Sequence, residues 1–232
     1  MNGFLATAIA LITLVAVNGL LPGCASIPEG EHRSEDTLTP GIFLEPEERA
    51  VLPPGVVIRK VYDRGIELTK SSEGFISRAY NDPAGYCTVA YGHLIQLAPC
   101  DGTEPEEFKR GITVPRGAEI LRKDMEKAEY AVMTLVEVEL TDGQYAALCD
   151  FIYNVGIGNF RKSTLRSVVN AREHGRVPSE FQRWVMAGGR KFPGLQVRRE
   201  KEIELFFEGI GVPRLPGEVL SPIDIRTGEG GS

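Results

Sequence analysis

The chain is short of the residues that build metal centres: its 232 residues include three histidines, four cysteines and one tryptophan. His32, His93 and His174, with Cys24, Cys87, Cys100 and Cys149, show none of the close spacings of a zinc site, so no metal or cofactor is expected. A basic excess is also missing. The net charge is −6, and the acidity is concentrated at the ends. Residues 1–57 carry two basic and seven acidic side chains, which leaves 22 of each sign in residues 58–211. No basic stripe of the kind that binds nucleic acid can be drawn on such a chain. Internal repeats are absent. With 42% hydrophobic and 25% charged residues, the composition is that of a soluble globular domain, long enough for one substantial core with extra segments.

One part of the chain departs from this average. From Phe4 to Gly23 there is no charged residue. A run of that length either spans a membrane as a helix or forms the apolar region of a secretory signal, although no basic side chain precedes it. Leu21-Pro22-Gly23-Cys24 resembles a bacterial lipoprotein processing site, making Cys24 a lipidation candidate; Pro22 is the awkward member. An uncleaved signal anchor is the alternative. Either reading exports the remainder of the chain, to the periplasm or beyond, held at the inner or outer membrane through its N-terminus.

Residues 24–56 contain Pro28, Pro40, Pro46, Pro53 and Pro54 among acidic residues and read as a linker. The spacing of Val57, Val61 and Leu68 predicts a helix over 57–72, closed by Gly74. Asn81-Asp82-Pro83-Ala84-Gly85 is turn chemistry, and the strand formers of 86–91 predict a hairpin or three-stranded sheet. Further helices follow: one capped by Thr113 with Pro115 in its first turn, one capped at Thr141-Asp142 and ending near Gly156, one from Ser163 towards Asn170, then 180–186 and 196–207. The tail from Gly211 is rich in Pro and Gly and is expected to be flexible. The pattern is α+β, with the sheet set apart from the helices. The expected domains are therefore 1–23 signal or anchor, 24–56 linker, 57–210 catalytic domain and 211–232 tail.

Disulfides are open to an exported chain. Cys87 and Cys100 share one turn-rich stretch and form the expected pair; closing that loop stabilises by about 3 kcal/mol in the chain-entropy model. Cys149, in an apolar helical pattern, is expected to be a buried thiol. A bond from Cys24 to Cys87 is the alternative pairing. It would hold the neighbour of Thr88 out of place in an anchored, inactive form.

Two acids in unlike settings carry the candidate chemistry. Glu73 falls at a helix C-terminus, where the helix dipole disfavours a carboxylate, and burial would raise its pKa further, as suits a general acid. Asp82 sits in a polar turn where it can stay ionised. Glycosidic cleavage needs such a pair, and Thr88 on the following strand can hold a water. Glu, eight residues, Asp, five residues, Thr is the catalytic spacing of the phage-type lysozymes, glycoside hydrolase family 24, which residues 58–210 resemble. The likeness extends through Tyr91-Gly92-His93; Leu148 to Asn154-Val155-Gly156 with Phe160 and Ser163-Thr164-Leu165; and Trp184, Gly188, Gly194-Leu195 and Arg198-Arg199-Glu200.

The resemblance implies a lysozyme-like fold, with a small antiparallel sheet lobe, a mainly helical lobe and a cleft between them. It implies an endolysin, a monomer acting on peptidoglycan at the β-1,4 bond between N-acetylmuramic acid and N-acetylglucosamine. Glu73 would be the acid, Asp82 would position or activate water with help from Thr88, and inversion is expected. Asn154, Trp184 and Arg198 are candidate substrate contacts. Each has a plainer alternative: Asn154 as a helix terminator, Trp184 as core, and Arg198, or else Arg199, as an orienting partner of Glu73. His93 reads as structural. A lytic transglycosylase and a wall-binding lipoprotein without catalysis are the rival functions.

Overall fold

The computed structural model describes residues 54–213, 220–228 and 230. The apolar run 4–23, Cys24 and most of the linker lie outside these residues. Among the described residues, no helix is long and apolar enough to cross a membrane.

Helix α1 spans Asp63–Glu73, six residues shorter at its start than the sequence pattern suggests. Neighbouring elements take the backbone groups that an earlier start would need. The Val61 N–H donates to the Glu129 carboxylate at 2.8 Å, and the Arg59 carbonyl accepts from the Tyr145 hydroxyl at 2.6 Å. Val61 is buried, but Val57 is 88% exposed, so the apparent spacing joined one core residue to one that faces water. Gly74, at φ 70°, ends α1, a conformation that favours glycine.

Strands β1 (Ile76–Asn81), β2 (Cys87–Ala90) and β3 (His93–Gln96) form one antiparallel sheet in sequence order. The remaining chain is mainly helical: α2 (Glu106–Arg110), α3 (Val114–Leu135), α4 (Asp142–Val155), α5 (Ile157–Lys162), α6 (Thr164–Asn170), α7 (Val177–Gln182) and α8 (Pro193–Phe206). The caps lie where the sequence places them. Thr113 accepts from the Arg116 N–H, and Ser163 from the Arg166 N–H. Thr141 and Gln144 exchange hydrogen bonds in a capping box, which satisfies two otherwise unpaired donors.

Helix α4 is the hub. It packs against α1, α3 and α8, and its Phe151 meets Phe160, Phe181 and Trp184 edge-on at 5.3–6.2 Å between ring centres. The two acidic and basic helix partners of the site, α1 and α8, are thus fixed against the same buried helix.

Two expectations in the C-terminal part are corrected. A helix over 180–186 is not found: α7 stops at Gln182, and Met186–Ala187 is strand β4, paired with β5 (Arg190–Lys191). Gly188 and Gly189 adopt φ 58° and 74° between them, as a two-residue hairpin turn requires. The tail is not loose throughout. The Ile223 and Ile225 N–H groups donate to the Arg183 and Met186 carbonyls, and the Asp224 carboxylate accepts from the Gly189 and Arg226 N–H groups. Ile223 and Ile225 are buried. Their alternating apolar side chains outweigh the Pro and Gly around them.

Candidate active site

Glu73 ends α1 and is buried. Its Oε1 accepts from Arg198 Nη1 at 2.6 Å, while Oε2 has no hydrogen-bond partner. Burial pushes the Glu73 carboxyl up to about 7, against the charge and hydrogen bond of Arg198, which pull it down. The contest between desolvation and a nearby cation is therefore won by desolvation. A carboxyl poised there keeps its proton near neutral pH and can give it up.

Asp82 follows β1. Its Oδ1 accepts from the Ala84 and Tyr86 N–H groups at 2.8 and 2.9 Å, and its own N–H donates to the Tyr86 carbonyl. This is an Asx-type turn, helped by Gly85 at φ 87°. Thr88 lies on β2, buried opposite Tyr80, and its hydroxyl donates to the same Tyr86 carbonyl at 3.2 Å. Asp82 and Thr88 are thus tied to one residue, Tyr86. Glu73 joins their hairpin through only Gly74 and Phe75. The Thr88 hydroxyl hydrogen is engaged, so toward a water the oxygen acts as an acceptor.

Cys87 and Cys100 are disulfide-bonded, as expected, and Cys149 is a buried free thiol. The bond ties β2, next to Thr88, to the loop before α2. Glu104 lies beside this pair, a grouping with the spacing of a metal site. The bonded sulfurs offer no thiolate, and Glu104 Oε1 already accepts from the Asp101 and Gly102 N–H groups, so this chemistry does not fit a metal. His93 takes the structural role, with Nδ1 2.8 Å from Asp124 Oδ2 and its ring against Phe108.

The three candidate glycan contacts are all buried. Trp184 is 2% exposed and packs on Phe151. Asn154 is buried and accepts from Arg199 Nη2 at 2.8 Å. Arg198 is fully buried between Glu73 and Asp150. For Trp184 and Arg198 the plainer alternative describes the geometry, with Arg198, not Arg199, as the partner of Glu73; Asn154 lies inside α4, which Gly156 ends, and its side chain serves Arg199 instead.

Asp150 went unnoticed in the sequence. It binds Arg198 through both carboxylate oxygens at 2.9 Å and accepts from Thr69 Oγ1 at 2.6 Å. The signal was an acid inside the most apolar helix, between Cys149 and Phe151; a buried charge of that kind needs a partner.

Residues 70–202 match the sequence profile of the phage lysozyme family. The chain belongs to the phage lysozyme family. Among its relatives is an endolysin of Bacillus phage B103, 35% identical over 148 residues. That alignment covers 62% of this chain and 53% of the relative, so the chain spans about half the length of that endolysin. The SAR-endolysin of Escherichia phage Mu is 34% identical over 144 residues, 60% of this chain and 79% of that protein. Among solved structures, a variant of the lysozyme of phage P22 superposes with a TM-score of 0.57 at 32% identity, covering 65% of this chain and all of that one. The α+β fold of this phage lysozyme family member is thus the one its sequence implies.

Proposed function

We propose that the protein is an endolysin that hydrolyses the β-1,4 bond between N-acetylmuramic acid and N-acetylglucosamine in peptidoglycan. The observation that carries this reading is Glu73: a buried carboxyl raised to about 7, held by one oxygen and unpartnered at the other. Arg198 fixes Oε1, so the proton is available at Oε2, which donates it to the glycosidic oxygen as the bond to the leaving sugar breaks. The Asp82 hydrogen bonds converge on Oδ1. Its Oδ2 is left to take a proton from the attacking water. The Thr88 oxygen accepts the water's other hydrogen and aims it. Water attacking opposite the leaving group inverts the anomeric carbon.

Glu73→Gln, assayed by turbidity on purified cell walls, is expected to slow lysis by about 10²-fold or more while the protein stays folded. A folded variant of full activity overturns the assignment, and a folded wild type that clears no walls shows a protein that only binds them. In the wild type the rate falls as pH rises through about 7, where Glu73 loses its proton.

The same proposal places the enzyme outside the cytoplasm, exported through residues 4–23 and retained as a signal anchor. The uncharged run, the name of the phage Mu relative and the Cys87–Cys100 bond support it, since disulfides persist in oxidising compartments. Intact mass from expressing cells tests it. The full-length mass is expected, and a chain beginning at a diacylglycerol-modified Cys24 contradicts it.

A further inference from the structure

The ionic group beneath Glu73 extends beyond the Glu73–Arg198 pair. Arg198, on α8, divides its guanidinium between two acids from different helices. Nε and Nη2 donate to Asp150 Oδ2 and Oδ1 on α4, each at 2.9 Å, and Nη1 donates to Glu73 Oε1 on α1 at 2.6 Å. Thr69, one helical turn before Glu73 on α1, donates to Asp150 Oδ1 at 2.6 Å. All three charged side chains are buried.

We propose that Asp150 is a positioning residue for Glu73, acting through Arg198: it clamps two edges of the guanidinium fork, neutralises its charge and leaves a single N–H directed at the Glu73 carboxyl. The inference rests on the reading of Glu73 as the acid. Its physical basis is charge balance. A cation facing Glu73 alone, in a buried site, favours the ionised carboxylate and works against an acid that must keep its proton. Once Arg198 is paired with Asp150, the two fields at Glu73 partly cancel, and Arg198 acts on Glu73 chiefly as an orienting donor. Bidentate pairing also fixes the plane of the fork, and with it the direction of Nη1.

Other groups face this cluster, and one of them, Arg199, adds a weaker pull on Glu73 of the same sign as that of Arg198. On α8, Arg199 donates from Nη2 to Asn154 Oδ1 and Glu202 Oε1, both at 2.8 Å, and lies over the Phe151 ring at 4.8 Å. Burial raises the Glu202 carboxyl well above the ordinary range, against the pull of Arg199; it sits 3.8 Å from Arg198 Nε. On α4, burial raises Tyr153 and Cys149 likewise, and both stay neutral. Asp124 of α3 acts on Tyr153. Asp150 itself is buried, which raises it, yet Arg198, then hydrogen bonds with Glu202 and Thr69, more than offset that and hold its carboxyl below the ordinary range.

The test compares the full-length wild type with Asp150→Asn and Asp150→Glu. Glu73 is titrated directly by NMR of a ¹³C-labelled carboxyl, assigned by its absence in Glu73→Gln, and the lytic rate is followed against pH. In Asp150→Asn the Glu73 titration is expected to fall by about one to three pH units, carrying the alkaline limb of the rate with it. A rate lowered equally at every pH, with the titration unmoved, shows a structural role and overturns the proposal. A titration that moves while the limb stays supports the role of Asp150 and instead removes Glu73 as the acid. Should Asp150→Asn fail to fold, Asp150→Glu decides. It keeps the charge but displaces the fork, so the limb should stay near 7 while the rate falls about tenfold or more. A wild-type rate, or a displaced limb, overturns the proposal.

Discussion

Replacing Glu73 by glutamine should stabilise the protein at neutral pH and above while abolishing lysis. In the folded chain the carboxyl titrates at about 7, against an ordinary value of 4.5. At about 1.4 kcal/mol per unit, the difference corresponds to about 3 kcal/mol of stability lost when the group must ionise. Below the unfolded value both states are protonated and the cost is absent. Between 4.5 and about 7 the unfolded chain releases a proton that the folded chain keeps, so stability declines as pH rises. Above that range the penalty is complete and constant.

Glutamine has nearly the same shape and never ionises. Its oxygen can keep the Arg198 Nη1 bond that Oε1 makes. Its amide nitrogen falls where Oε2 has no partner, which costs about 1 kcal/mol or more. A net gain of about 1–2 kcal/mol remains at high pH, and a domain of this size converts that to a rise of about 2–8 °C in melting temperature. Thermal melts followed by circular dichroism from about pH 4 to about pH 9 read the effect. The advantage of Glu73→Gln should be absent or reversed in acid and grow across the stated window. A difference that does not change with pH would refute the reasoning that burial holds the proton on Glu73.

Other perturbations probe the frame. Reducing the Cys87–Cys100 bond removes about 3 kcal/mol in the chain-entropy model; melts with and without reductant should differ, and equal melts argue against the linkage. In Gly65→Ala the new Cβ would stand 2.5 Å from Val61 Cγ1 and 2.7 Å from Ala146 Cβ. Pushing α1 off α4 in this way should cost about 1–3 kcal/mol, read by denaturant titration, and an unchanged midpoint contradicts the close approach. Trp184→Phe should lower stability but leave the wall concentration for half-maximal rate unchanged, because Trp184 packs on Phe151; a marked rise in that concentration would restore it as a glycan contact.

Much of the fold was legible because its punctuation is local. Thr113, Thr141 and Ser163 are helix caps in the sequence and in the structure, and Gly74 ends α1. The turn at Asp82 is likewise written in adjacent residues. What was not legible depends on partners far along the chain. The start of α1 is set by Glu129 and Tyr145 taking the backbone of residues 59–61, and no window around Val57 contains them. The end of α7 at Gln182 is likewise set by residues beyond the expected helix, where β5 pairs with Met186 and Ala187 across the Gly188-Gly189 turn. The site divides in the same way. Glu73, Asp82 and Thr88 stand at a recognisable spacing. Asp150 was invisible until folding brought α1, α4 and α8 together, since its meaning lies in a charge from residue 198.

The central claim is hydrolysis of the glycan strand, and the mass of the released fragments tests it most directly. Purified peptidoglycan is digested with the wild-type protein in ¹⁸O-labelled water and the soluble products are weighed. The account calls for fragments with one labelled oxygen at a new N-acetylmuramic acid reducing end, and none from Glu73→Gln. Anhydro-sugar ends without label would show a transglycosylase. Release of no fragments by a folded wild-type protein would contradict the enzymatic reading altogether.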